Sequence, residues 1–303
     1  MTRITTLDQQ PLYVRELGQG PVVILLHGFG MDSRHWLPLT LPLAHRFRFV
    51  LPDLRGFGRS SRLNCSEDCV VTSHAQDLHA VIRHYSGGVP VYLGGISLGA
   101  TTSLRYMELF GTGALRHYLH IDQAPKVSHD ENWAWGLFGQ QGPEYIQSWQ
   151  TTLDFLAKSD PQTPFDQFPR DIKDRFYNHL SDFMSLALSK PWMKWGIRRL
   201  IRIPTLAHQL VPVENWYVLY QHLRAYAERD YDFLSLLPSI EVPTTLITGR
   251  KSELYPWQGQ ARMHELLPNS RQIFFENSGH VPILDQPVQF IREMQRAFTD
   301  APR

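Results

Sequence analysis

Cysteine is nearly absent from this chain: of 303 residues only Cys65 and Cys69 carry a thiol. Two are too few for a disulfide framework, and Cys-x₃-Cys, even with His74 nearby, falls short of the four ligands a structural zinc site usually has. The expectation is two free thiols in a reducing compartment. Long apolar runs are missing as well, and the first eight residues hold no apolar signal core, so a soluble cytoplasmic protein without a membrane partner is expected. Charge of one sign is also lacking, because 30 Lys and Arg meet 29 Asp and Glu to leave a formal +1. Such a balance creates no field that gathers nucleic acid or acidic lipid. The most basic stretch, Arg198-Arg199-Leu200-Ile201-Arg202, reads as a solvated helix face.

What is present describes an ordinary globular protein, 43% hydrophobic and 19% charged, long enough to bury a sizeable core. Residues 22–26, Val-Val-Ile-Leu-Leu, form a short apolar run that stops at His27-Gly28, as a buried strand entering a loop does. Similar runs lie at 47–51, 89–93, 117–121 and 243–248, and a more mixed one, Arg-Gln-Ile-Phe-Phe, at 271–275. Segments of helical character fall between and around them, at 33–44, 72–85, 98–110, 257–267 and 287–299. Strands alternating with helices predict an α/β fold, a mostly parallel sheet with helices on both faces.

The alternation breaks between about 125 and 238. That stretch holds six of the eight tryptophans, among them Trp133 and Trp135, and prolines at 161, 164, 169, 191, 204 and 212 cut it into short pieces. It is expected to be a mainly helical cap of residues 125–238, inserted after the sixth strand of a core domain made of 1–124 and 239–303. Large aromatics line pockets as well as fill cores, so Trp133 and Trp135 are candidate substrate contacts.

Three short motifs carry chemistry. Gly95-Ile96-Ser97-Leu98-Gly99 sits between a strand and a helix, the context in which a serine hydroxyl is held up on a strained turn. His27-Gly28-Phe29-Gly30 follows the first long strand; its glycines let a loop bend so that a backbone N–H faces that serine, with Phe29 and Leu98 the candidate oxyanion donors. Asn277-Ser278-Gly279-His280 follows the last strand and supplies a base, which a serine hydroxyl needs before it becomes a nucleophile.

With Asp53-Leu-Arg-Gly-Phe-Gly-Arg-Ser60, these motifs in this order resemble the signature of the α/β-hydrolase superfamily. The likeness covers roughly residues 10–125 and 238–300. It implies Ser97 as nucleophile, His280 as base and a structural role for the Asp53–Ser60 segment. The family usually carries its acid in a Gly-x-x-Asp pattern after the penultimate strand. Here that segment reads Gly249-Arg250-Lys251-Ser252-Glu253, and Ser252 stands at the expected position. Serine cannot supply the charge that stabilises an imidazolium. Two carboxylates remain: Glu253, one residue late, and Asp122, 25 residues after Ser97 at the end of the 117–121 strand, where some relatives such as haloalkane dehalogenases place their acid. Asp122 is the preferred candidate.

The implied activity is hydrolysis of an ester, lactone or thioester of an apolar small molecule through an acyl-enzyme on Ser97, without metal or organic cofactor. Serine at the elbow argues against the dehalogenases and epoxide hydrolases of the family, which use aspartate there. Cofactor-free haloperoxidase, C–C bond hydrolase and acyltransferase chemistry fit the same residues. A non-catalytic small-molecule-binding protein on this scaffold is the alternative of another class.

Overall fold

The computed structural model describes residues 2–65, 69–201, 203, 215–228 and 231–299. Arg202 of the basic run and the prolines at 204 and 212 lie outside the described residues. Eight strands form one sheet: β1 (Thr2–Thr5), β2 (Pro11–Gly18), β3 (Val22–Leu26), β4 (Arg48–Pro52), β5 (Val91–Ile96), β6 (Leu115–Ile121), β7 (Thr244–Gly249) and β8 (Ser270–Phe275). Their spatial order is β1-β2-β4-β3-β5-β6-β7-β8. β1 and β2 run antiparallel at one edge, and every pairing from β4 to β8 is parallel.

The parallel strands are the six apolar runs of the sequence, and their alternating side chains feed two cores. Val23 and Leu25 face one side with Phe49, Leu51 and Tyr92; Ile24 and Leu26 face the other with Val50 and Leu93. The helices that cover these faces are α1 (Val70–Ser86), α2 (Leu98–Phe110), α3 (Gly142–Ala157), α4 (Arg170–Ala187), α5 (Pro191–Ile201), α6 (Trp216–Ala227), α7 (Trp257–Leu266) and α8 (Pro287–Thr299). α8 shows why: it opens on Pro287, whose missing N–H costs nothing in a first turn. Its Phe290, Met294, Ala297 and Phe298 are spaced to form one apolar stripe, buried in the same core as Val23 and Leu25.

Between β6 and β7 the described residues contain α3 to α6 and no strand of the sheet. Apolar side chains of α3, α4 and α6, among them Trp149, Phe176 and Trp216, join the core on the Ile24–Leu26 face. Residues 33–44, expected to have helical character, form three short helical turns, Ser33–Trp36, Leu37–Thr40 and Leu41–Leu43, rather than one continuous helix. Pro38 and Pro42 lie within this stretch, and each lacks the N–H a continuous helix would use.

The chain leaves β3 to one side to make β4, then crosses to the other side to make β5. A reversal of this kind opens a crevice beyond the carboxyl ends of the two strands. In this protein those ends carry His27-Gly28 and Ser97.

Candidate active site

Ser97 is the single residue between β5 and α2, and its backbone stands at φ 53°, ψ −119°. A non-glycine residue in that region is strained and persists only where the surroundings enforce it. The enforcement is visible in its neighbours. A Cβ on Gly95 would lie 2.4 Å from the carbonyl of Gly99, and one on Gly99 would lie 2.4 Å from the carbonyl of Leu26. Only glycine at both positions lets strand, turn and helix close this tightly. Ser97 N–H donates to the Ile121 carbonyl at 3.1 Å, which ties the turn to the end of β6.

Asp122 follows directly, fully buried and with a positive φ of 41°. Its carboxylate receives three hydrogen bonds. Gly249 N–H donates to Oδ2 at 2.6 Å, while Ser252 Oγ at 2.6 Å and His280 Nδ1 at 2.8 Å both donate to Oδ1. With its Nδ1 proton engaged by the carboxylate, the neutral His280 ring carries its lone pair on Nε2. The loop that presents His280 is held in turn by Asp285, whose Oδ2 accepts from Gly279 N–H at 2.9 Å and Ser278 Oγ at 3.2 Å. Ser189, between α4 and α5, donates to the other oxygen of Asp285 at 2.6 Å. Glu253 points elsewhere: it is half-exposed and paired with Lys194 at 2.5 Å.

The loop after β3 is shaped by a histidine whose two ring nitrogens are both engaged by backbone. His27 is completely buried; Leu54 N–H donates to its Nε2 at 2.9 Å, so the ring proton sits on Nδ1 and donates to the Gly28 carbonyl at 2.8 Å. Burial lowers its pKa and keeps it neutral. Among the described residues the peptide bonds are all trans. Fixing the Gly28 oxygen against His27 therefore fixes the Phe29 N–H on the opposite side of the same peptide plane. This loop lies against the turn that carries Ser97, since a Cβ on Gly28 would sit 3.3 Å from Ser97 Cβ. Leu98 N–H is the first amide of α2 and has no carbonyl one turn back to bond.

The Asp53–Ser60 segment braces this loop from below. Asp53 accepts from Ser33 N–H at 2.7 Å and Arg59 N–H at 2.8 Å. Arg55 is buried between Asp77, at 2.6 and 2.7 Å, and Asp8, at 2.6 Å through both terminal nitrogens.

Ser97 and His280 both line a cavity of about 920 Å³. One wall is the loop from Gly28 to His35; the other comes from α4, α5 and the residues between them, with Phe183, Leu188, Trp192 and Ile197. Trp133 and Trp135, the expected substrate contacts, do not line it. Trp133 is buried against Trp135, ring centroids 5.2 Å apart, and the pair packs over Gly259 of α7. The tryptophan at the cavity is Trp192, 70% exposed. The sequence marks both kinds of tryptophan identically, and only the helix that carries each one separates them. Two other groups escaped the sequence reading. Ser252 was seen only as a missing acid, and Asp285 carried no motif at all. Both cysteines are free, and Cys65 is buried.

A family model described as alpha/beta hydrolase fold matches residues 21–287 of the chain. The pimeloyl-[acyl-carrier protein] methyl ester esterase of Aliivibrio fischeri is 24% identical over 288 residues, spanning 94% of this chain and 96% of that protein. Among solved structures, an esterase from Exiguobacterium antarcticum superposes with a TM-score of 0.75 at 22% identity, over 97% of each chain. A thermophilic esterase from Thermogutta terrifontis superposes with a TM-score of 0.74 at 20% identity, over 99% of this chain and 98% of that one.

Proposed function

The chain belongs to the alpha/beta hydrolase fold family, and from that premise we infer that it is a serine esterase acting through an acyl-enzyme on Ser97. The observation that carries this reading is the meeting of Ser97 and His280 on one cavity, with Asp122 on the far nitrogen of His280. In the proposed reaction Ser97 Oγ attacks the ester carbonyl and passes its proton to His280 Nε2. The imidazolium so formed is stabilised by Asp122. Phe29 and Leu98 N–H groups receive the developing oxyanion, a contribution worth about a hundred- to a thousandfold in rate per donor. His280 then protonates the departing alcohol, and water, deprotonated by His280, releases the acid. Nucleophile, base and donors all belong to the chain, so these steps draw on no cofactor.

The likeness to named ester hydrolases over nearly the whole chain supports ester cleavage. The cavity wall supports an apolar substrate, with Met31, Phe183, Met193, Ile197 and Leu284 facing the space around Ser97. In this reading α3 to α6 act as a cap, of which α4, α5 and the residues between them supply one wall of the binding surface. The test is labelling by a fluorophosphonate probe, together with turnover of a panel of esters, lactones and thioesters of varied acyl length. Labelling lost in Ser97→Ala, with turnover best on apolar acyl groups, is the expected result. Folded wild-type protein that takes no label overturns the reading.

A further inference from the structure

The segment Gly249–Glu253 lacks the acid yet does not leave the site. Ser252 N–H bonds back to the Gly249 carbonyl at 3.2 Å, so the chain turns at the end of β7 and returns Ser252 to Asp122. Lys251 N–H donates to the Ser278 carbonyl at 2.9 Å, which pins the same turn to the loop carrying His280. The hydroxyl of Ser252 then has a fixed direction. Tyr255 N–H donates to Ser252 Oγ at 3.4 Å, and an amide only donates. An ionised carboxylate only accepts, so the Ser252 proton goes to Asp122 Oδ1, 2.6 Å away. That oxygen is the one His280 Nδ1 uses.

Resting on the esterase reading, we propose that Ser252 is a positioning residue of the catalytic site: its hydroxyl holds Asp122 Oδ1 in line with His280 Nδ1. Asp122 needs such a hold. Its carboxylate can turn about its own side chain, and Gly249 N–H grips only Oδ2. With one grip the carboxylate pivots about that bond; with Ser252 as the second it is fixed in plane and presents Oδ1 to the imidazole. A second carboxylate in place of this hydroxyl would meet Asp122 as a like charge at hydrogen-bond distance, where one of the two could not ionise. With Asp122 on β6, a short neutral donor is therefore the group that suits position 252.

The test compares Ser252→Ala and Ser252→Thr with wild type by two readouts. One is kcat and KM on an ester that the panel identifies. The other is the low-field proton NMR signal of His280 Nδ1–H, assigned by its loss in His280→Gln. The expected result is a roughly tenfold lower kcat with KM unchanged in Ser252→Ala, the loss of one charge-assisted hydrogen bond, and a displaced or broadened Nδ1–H signal. Ser252→Thr, which keeps the hydroxyl, restores both. A Ser252→Ala protein whose Nδ1–H signal matches wild type overturns the proposal, as does a Ser252→Thr protein as impaired as Ser252→Ala. If wild type hydrolyses no ester faster than Ser97→Ala, the esterase reading fails by itself, and the NMR comparison still decides the placement of Ser252.

Discussion

Asp122 and His280 are 158 residues apart in sequence and joined by a 2.8 Å hydrogen bond between Oδ1 and Nδ1. No comparable bond links His280 to Glu253, whose carboxylate is taken by Lys194 at the surface. Asp122→Asn is therefore expected to lower kcat by roughly a thousand- to ten-thousandfold, the scale seen when a triad acid loses its charge. Glu253→Gln is expected to stay within about twofold of wild type, the small effect of breaking an exposed ion pair. Steady-state kinetics on one chromogenic ester decides between them, and the reverse order of effects would reassign the acid.

His27 is expected to matter for rate without touching substrate. Its Nδ1–H fixes the Gly28 carbonyl and, through the peptide plane, the Phe29 N–H. His27→Ala removes that hold, and misplacing one oxyanion donor is expected to lower kcat by about ten- to a hundredfold, below the full loss of a donor. KM should move little, because the apolar wall from α4 and α5 is untouched. A change confined to KM would show that the loop binds substrate rather than the oxyanion.

Two buried histidines contribute to the expected pH dependence of stability, beside His27, His117 and His120, which burial depresses in the same direction. His74 on α1 and His222 on α6 meet Nε2 to Nε2 at 2.9 Å, and His222 Nδ1–H is spent on the Val218 carbonyl at 2.7 Å. His74 must therefore be the donor, and the pair has no place for a further proton between the rings. Burial depresses both, His222 to about 4 and His74 well below its ordinary 6.5; the neighbouring His27 adds to the effect in each case. The unfolded chain binds protons that the folded one refuses, so stability is full above about pH 6.5 and falls as pH drops toward 4. For His222 alone the loss is on the order of 3 kcal/mol. Urea midpoints measured from pH 7 to 4.5 should fall steadily, and His222→Asn should flatten that slope. An unchanged slope would assign the acid sensitivity to other groups.

Much of this was legible in the sequence, and the parts that were not have physical reasons. The inner parallel strands were readable because strands buried on both faces are largely apolar, and β8, at the edge with Arg271 and Gln272, through its Ile273-Phe274-Phe275 end. β2 was not, because it lies near the sheet edge and mixes buried Leu12, Tyr13 and Val14 with the partly exposed Arg15 and Glu16. Ser97 stood out because its glycine neighbours answer a local steric demand, and His280 because it follows Ser97 in order on a loop after the last strand. Asp122 could only be preferred, since its pairing with His280 is long-range and leaves no local mark. Trp133 and Trp135 misled because a large aromatic ring satisfies a core and a pocket equally well.

The location of Asp122 at the end of β6 has a consequence for building chimeras. The stretch from 125 to 238 invites exchange between relatives as a way of swapping substrate preference. A splice made at the last residue of β6 would carry Asp122 away with the donor segment and leave Ser252 facing an unknown partner. The recombination point that preserves chemistry falls after Gln123, whose side chain donates to Thr101 Oγ1 at 2.5 Å and Tyr231 Oη at 3.2 Å. A donor whose own acid follows β7 would bring a chain with no carboxylate at either place, and such a hybrid would fold around a histidine whose Nδ1 has lost its partner.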